Sequence, residues 1–395
     1  MPLGKVNIKN SQTGFFSLIF FPVSPDKGDY LQFTFNEYQT YIKISREIPA
    51  IKNISLQLGL QADNPSFKPL IIADENTAYI AAKISDGADY PCVILKSGEE
   101  NKTWQSVETI LCAANKAGLG RDGIFIAVGG GVIGDLAGFA ASIYMRGCKF
   151  ILVSTTLLGM VDASVGGKTG FDLLGIKNLI GSFYPAQSVY IPLNALSTLP
   201  QAEIKSGMAE LIKTAVLCGD DFLEQLTPLA ENFNDFKKVL EDGSLQKCVE
   251  RAVNYKGGIV SEDFRESGKR MLLNLGHTFG HALESAAGLG KITHGEAVAW
   301  GIVCACELGT ALKITPRERA EKIKKLVLSF GYECSCPHPA AGDKEILLNA
   351  MKSDKKKKSG NLTFIVPDAQ SARAVILKKE EAQILENILQ GGFNA

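Results

Sequence analysis

The chain has 395 residues, with 42 basic and 42 acidic side chains, four histidines and nine cysteines. That charge balance, with 46% hydrophobic and 21% charged residues, fits a soluble globular protein with a substantial core. It argues against nucleic acid or an acidic membrane as partner, since both demand a basic surface.

At about 100–200 residues per domain, the length predicts two domains. No apolar run approaches the ~20 residues that span a bilayer. An odd number of scattered cysteines predicts reduced, buried thiols in a cytoplasmic protein. Near the start, "GFFSLIFFPV" (Gly14–Val23) lacks the small-residue cleavage pattern of a signal peptide and reads as an early β-strand. From Pro69 to Val153, the runs "PLIIADE", "PCVILKSGE", "GIFIAVGGG" and "CKFILVSTT" read as buried parallel strands ending in polar or glycine-rich loops. Segments such as Trp104–Lys116 read as helices between them, so this half is α/β, with ligands expected beyond the carboxyl ends of the strands.

From about Leu199 a 3.6-residue apolar period takes over. The expected fold class is therefore α/β: an N-terminal Rossmann-like parallel-sheet domain over 1–198 and a mostly α-helical C-terminal domain over 199–395. "NLTFIVP" near the end reads as a lone late strand.

Gly129, Gly131 and Gly134 match G-x-G-x-x-G after a strand and at the opening of a helix. In that context the glycines let backbone amides approach a pyrophosphate, which the helix N-terminus also attracts. The acidic residue that ordinarily binds the ribose about 20 positions on is missing. Asp74 and Asn76, or Glu99 and Lys102, at earlier strand ends can take its place. "SVGGKTGFD" (Ser164–Asp172) is no P-loop, because Asp162 stands where the first glycine is required. It reads as a flexible glycine loop presenting Lys168.

Three of the four histidines, His277, His281 and His294, fall between Leu273 and Gly301. On a helix over Arg270–Ala287, Arg270, Asn274, His277 and His281 line one stripe, and every other face is apolar. Such a helix is buried, and its polar stripe must face a partner or a wet cavity. His277 and His281, four apart, can share a metal; alternatively one of them pairs with His294 while the other does acid–base work. A catalytic zinc commonly takes three protein ligands, and Glu210 in "AELIK" offers the carboxylate. Its spacing to Lys213 is equally that of a surface ion pair. Cys334, Cys336 and His338 lack zinc spacing and read as structural.

Taken together, "GGGVIGDLAGFAAS" with "YMRG", "STTLL", "VDASVGGKTG", "KNLIGSFY", "AELIK", and "LNLGHTFGHALE" followed by "HGEAVAWG" resemble 3-dehydroquinate synthase, in order from about Asp74 to Pro367. The resemblance implies a shikimate-pathway lyase that uses NAD and Zn2+ (or Co2+) to convert 3-deoxy-D-arabino-heptulosonate 7-phosphate to 3-dehydroquinate and phosphate. It implies metal ligands Glu210, His277 and His294, and acid–base residues His281 and Glu266. Substrate would be bound by Asp162, Lys168, Asn178, Lys256, Arg270 and Asn274, joined by Lys355 or Lys356; Lys213 would belong to the catalytic set, and Arg146 would be lent across a homodimer interface. It implies that NAD lies along Asp74, Asn76, Glu99, Lys102, Gly130, Gly131, Val132, Ile133, Gly134, Asp135, Thr155, Thr156, Lys168 and Lys177. The chain departs from the family between "GGKTG" and "KN", where "FDLLGI" (Phe171–Ile176) lacks the usual proline. The intact "GGKTG" favours the synthase over sister sugar phosphate cyclases. A metal-dependent polyol dehydrogenase is the nearest rival outside the cyclases. A non-catalytic sensor is disfavoured by the full set of Glu210, Lys213, Lys256, Arg270 and the three histidines.

Overall fold

The structure, a computed structural model, describes residues 30–233, 235–288, 290–339, 343–357, 362–378 and 381–389, with 352–357 as backbone alone. The early strand expected at Gly14–Val23 lies outside the described residues.

The N-terminal part is built on a seven-stranded sheet in the order β1-β2-β9-β6-β5-β3-β4. Its strands are β1 (Leu31–Phe35), β2 (Tyr38–Ser45), β3 (Pro69–Asp74), β4 (Cys92–Leu95), β5 (Ile124–Gly129), β6 (Lys149–Ser154) and β9 (Ser188–Pro192). β1 pairs antiparallel with β2, and every other pairing is parallel. All six residues of β5 are buried, as expected of a parallel strand covered on both faces. Helices α1 (Ile51–Gln57), α2 (Ala78–Ser85), α3 (Trp104–Lys116) and α4 (Gly131–Ile143) complete the α/β part. The chain runs from β3 out to β4 and returns to the other side of β3 as β5. The loops after β3 and β5 therefore diverge at a topological switch point, where α/β sheets bind ligands. Thr77, after β3, donates to Val128 O at 2.8 Å and ties the two loops together.

Two expectations are corrected here. "KTGFDL" is not a flexible loop but β7 (Lys168–Leu173), paired antiparallel with β8 (Ile176–Phe183). Packing against α4 makes it a strand: Thr169 and Phe171 are buried, and the Phe171 ring stands 5.3 Å from that of Phe139. The unusual "FDLLGI" is the hairpin turn. Leu174 and Gly175 sit at φ of 54° and 73°, the two left-handed positions that a tight hairpin requires. The late strand is not alone either, because β10 (Thr363–Pro367) pairs antiparallel with β11 (Ala372–Ile376).

The helical part comprises α5 (Gln201–Cys218), α6 (Asp220–Glu231), α7 (Phe236–Glu241), α8 (Ser244–Glu262), α9 (His277–Ala287), α10 (His294–Ala311), α11 (Arg317–Ser329), α12 (Lys344–Lys357) and α13 (Ala382–Leu389). α10 is its axis, with thirteen buried residues including Trp300. The single helix expected over Arg270–Ala287 is broken: a 3-10 segment covers Lys269–Asn274, and α9 begins only at His277. Gly276 makes the break. Its φ is 79°, and α10 crosses so closely that a Cβ on Gly301 would stand 2.0 Å from Gly276 O.

All nine cysteines are free. Cys92 on the edge strand and Cys112 on α3 are exposed rather than buried, a correction to the composition reading. Among the described residues no helix is long and apolar enough to cross a membrane.

Candidate metal centre and cofactor cleft

Three helices deliver one cluster. Glu210 lies within α5, His277 opens α9 and His294 opens α10. The start of α10 is fixed by a capping box between Thr293 and Glu296, which satisfies two otherwise orphaned amides. Its register against α5 is set where Gly295 meets Ser206. Gly295 N donates to Ser206 Oγ at 3.1 Å, and a Cβ on Gly295 would stand 2.3 Å from Ser206 Cα.

This packing leaves His294 Nε2 at 3.2 Å and His277 Nε2 at 3.6 Å from Glu210 Oε1. One ligand atom from each residue lies within 4.8 Å of the others. Tetrahedral zinc with bonds near 2.0 Å would separate its ligand atoms by about 3.4 Å, so the spacing suits such an ion. The ring chemistry agrees. His277 Nδ1 faces Leu275 O at 3.1 Å, which leaves Nε2 as the lone-pair nitrogen. Burial pushes His277 down to about 3, so its imidazole is neutral, the form that binds metal. Burial would also lower His294, but the neighbouring carboxylates of Glu210 and Glu284 raise it to about 10.

Glu210 and Lys213 do form the ion pair their spacing suggests, yet it is a buried one, each residue being only 1% exposed. Burial would raise the Glu210 carboxyl, but Lys213 overcomes it and holds the group at about 2. Asp162 sits on a π-helical turn, Gly159–Ala163, a backbone form frequent at functional sites. Its Oδ1 accepts from Lys213 Nζ at 3.0 Å and Lys256 Nζ at 2.8 Å. Glu266, in the left-handed region at φ 58°, is bridged to Lys168 and accepts from Asn274 Nδ2 at 2.6 Å. Arg270 is buried and donates to the carbonyls of Phe264 and Gly166. His281 is exposed, its ring 5.3 Å from that of His277 and 6.5 Å from that of His294.

On the sheet side, a narrow cleft is lined by Gly130, Gly131, Gly134, Asp135, Ser154, Ser164 and Lys168 among others. The hydroxyls of Ser154, Thr155 and Ser164 are buried without a hydrogen-bond partner. An unpaired buried polar group costs about 1–3 kcal/mol, and two of these residues, Ser154 and Ser164, line the cleft. Thr156 Oγ1 accepts from Gly159 N at 3.0 Å. Val132 is half-buried, whereas Ile133 is core and packs behind Gly129, so Ile133 can offer a ligand only its backbone. Lys102 is buried and donates to Asp135 at 2.7 Å and to Asn178 at 2.6 Å, with Glu99 at 3.9 Å. Asp74 ends β3 and accepts from Thr77 N at 2.9 Å, and Asn76 is exposed beyond it. Lys177 lies on β8 and pairs not with this cleft but with Glu284 on α9.

Arg146 lies apart, exposed at the turn after α4 with φ 69°. Lys356 falls among the residues described as backbone alone. Glu284 escaped the sequence reading, although the signal was present: it continues the stripe of His277 and His281 at the next helical spacing of three.

Fold and site together define a two-part α/β protein with a Glu–His–His centre facing a glycine-rich cleft. The family described as 3-dehydroquinate synthase N-terminal matches residues 92–206, and 3-dehydroquinate synthase C-terminal matches 207–357. The chain belongs to the 3-dehydroquinate synthase family. Among solved structures it is similar to a 2-deoxy-scyllo-inosose synthase complexed with carbaglucose-6-phosphate, NAD+ and Co2+: TM-score 0.74, 25% identity, covering 92% of this chain and 100% of that one. It also resembles 2-epi-5-epi-valiolone synthase from Streptomyces hygroscopicus subsp. jinggangensis 5008, with NAD+ and Zn2+ bound: TM-score 0.74, 24% identity, covering 90% and 96%. Sulfoacetaldehyde reductase from Bifidobacterium kashiwanohense shares the fold at TM-score 0.59 and 15% identity, covering 82% and 92%.

Proposed function

We propose that this protein is a 3-dehydroquinate synthase, forming 3-dehydroquinate and phosphate from 3-deoxy-D-arabino-heptulosonate 7-phosphate with NAD and zinc or cobalt. The observation that carries the reading is the convergence of Glu210, His277 and His294 beside the glycine-rich cleft, in a chain whose two halves both match that family. In this reading Glu210, His277 and His294 hold the metal, and Gly130–Asp135 with Thr155 and Thr156 hold the dinucleotide. When bound, the two groups supply reversible hydride acceptance and Lewis acidity toward the substrate hydroxyls.

The chain's own residues do the rest. Oxidation of a ring alcohol acidifies the adjacent carbon. A base removes that proton as the carbon–oxygen bond to phosphate breaks. His281, exposed beside the centre, and Glu266, held by Lys168 and Asn274, are the acid–base groups. Lys256, fixed on Asp162 beside Lys213, holds negative charge on the substrate as phosphate departs. Ring opening and internal aldol closure complete the product. The same reading makes the protein a cytoplasmic homodimer with Arg146 reaching the partner's site, divided near residue 198 into cofactor and metal domains.

The sister-cyclase reading rests on the altered Phe171–Ile176 turn and on the similarity to 2-deoxy-scyllo-inosose synthase. Inorganic phosphate release, followed with NADH absorbance, separates the readings. Stoichiometric phosphate from the heptulosonate phosphate without accumulating NADH supports the synthase. Phosphate from a different sugar phosphate alone supports a sister cyclase, and NADH accumulating without phosphate supports a dehydrogenase.

A pH profile tests the role of Lys256. Burial lowers its ammonium to about 8, against the pull of Asp162. The protonated form is the one that binds an anion, so kcat/KM is expected to fall as pH rises through about 8. Lys256→Arg, charged throughout, should flatten that fall even at reduced overall efficiency. A wild-type profile level from pH 7 to 9 would remove Lys256 from the phosphate site.

A further inference from the structure

Glu284 is one turn beyond His281 on α9 and only 11% exposed at its side chain. Its two oxygens have different partners. Oε2 lies 3.6 Å from His294 Nδ1, and Oε1 accepts from Lys177 Nζ at 2.9 Å. His294 thus stands between two carboxylates, Nε2 toward Glu210 at 3.2 Å and Nδ1 toward Glu284. Lys177 belongs to β8, the hairpin strand that runs off the sheet side of the cleft.

We infer that Glu284 is a positioning residue of the metal centre: it holds the Nδ1–H of His294 so that Nε2 faces the ion, and it joins that ligand to the β7–β8 hairpin through Lys177. The inference rests on the reading of Glu210, His277 and His294 as metal ligands. A ligating histidine whose other nitrogen donates to a carboxylate is fixed in tautomer and ring orientation and becomes more basic. Lys177, 38% exposed, adds hairpin attachment rather than ligand geometry, because the carboxylate oxygen it uses is not the one facing His294.

The test is zinc affinity of the full-length apo-protein, by competition with a chromophoric chelator, without NAD or substrate, alongside the visible absorption of the Co2+-loaded protein. Glu284→Gln keeps volume and removes charge. It should weaken zinc binding by about 10–100-fold and shift the cobalt spectrum. Lys177→Met should change zinc affinity by less than about fivefold, as an exposed pair does. If the glutamine variant fails to fold, Glu284→Asp, whose carboxylate is withdrawn from Nδ1, should show at least a tenfold loss. Glu210→Gln serves as the control and should lose zinc. Wild-type affinity and spectrum in Glu284→Gln, with zinc lost from Glu210→Gln, would overturn the inference and leave the metal site standing. Equal losses in Glu284→Gln and Lys177→Met would also overturn it, because Glu284 would then act only as hairpin anchor. Normal zinc binding by Glu210→Gln would overturn the metal reading itself.

Discussion

Replacing Glu210 with glutamine is expected to abolish metal-dependent turnover, lowering kcat by about a thousandfold or more. Glu210 supplies the anionic ligand, and its Oε1 is the atom both histidines face. The Lewis acid of such a site is worth several kcal/mol, and each 1.4 kcal/mol is about tenfold in rate. The substitution also leaves Lys213 to Asp162, which already holds Lys256. Removing one member of a buried ion pair costs about 3–5 kcal/mol of stability, so a thermal measurement must accompany the rate. The diagnostic is linkage. Zinc at about 100 times Kd stabilises a protein that binds it only when folded by about 2.7 kcal/mol. It should therefore raise the Tm of the wild type and leave that of Glu210→Gln where it was. A variant that still gains Tm with zinc would show that the ion binds elsewhere.

What was legible in the sequence follows from how local each determinant is. The strands Pro69–Asp74, Ile124–Gly129 and Lys149–Ser154, and the helix Trp104–Lys116, declare themselves because their residues lie on one continuous run with its own period. The hairpin β7–β8 did not, because "SVGGKTGFD" is rich in glycine and becomes a strand through burial of Thr169 and Phe171 against α4. The same limit applies to the break at Gly276. The apolar periodicity runs across it, and only the crossing of α10 reveals why the chain must turn. Within the site, His277, His281 and His294 could be singled out by type and proximity. Glu210 could be offered as the carboxylate, but its local spacing with Lys213 also describes a surface pair, and only the resemblance assigned it as a ligand. The role of Asp162 as shared counter-ion and the tie of Glu284 to Lys177 depend on contacts spanning 51 to 107 positions in the chain, which no local pattern encodes.

The crossing of α9 and α10 makes the second large prediction, because it sets the separation of two ligands. A Cβ on Gly301 would lie 2.0 Å from Gly276 O, 2.8 Å from Gly276 C and 3.1 Å from Gly276 Cα. All three atoms are backbone, so no rotamer change relieves the overlap and the helices must part. His277 follows Gly276 directly and His294 lies two turns before Gly301 on the same helix, so parting them opens the centre. Gly301→Ala is expected to destabilise the fold by about 1–3 kcal/mol or more, as overpacking does, and to weaken zinc binding at least about tenfold. Gly258→Ala on α8 is the matched control. Nothing lies within 4 Å of its added Cβ, and such a change commonly stabilises by about 0.4–1 kcal/mol. Denaturant melts and zinc competition on both variants separate the effects. If Gly301→Ala loses stability yet binds zinc like the wild type, the crossing supports the fold without setting the ligand geometry. Loss of both in Gly301→Ala and of neither in Gly258→Ala ties the metal centre to the close approach of two glycines that touch no metal themselves.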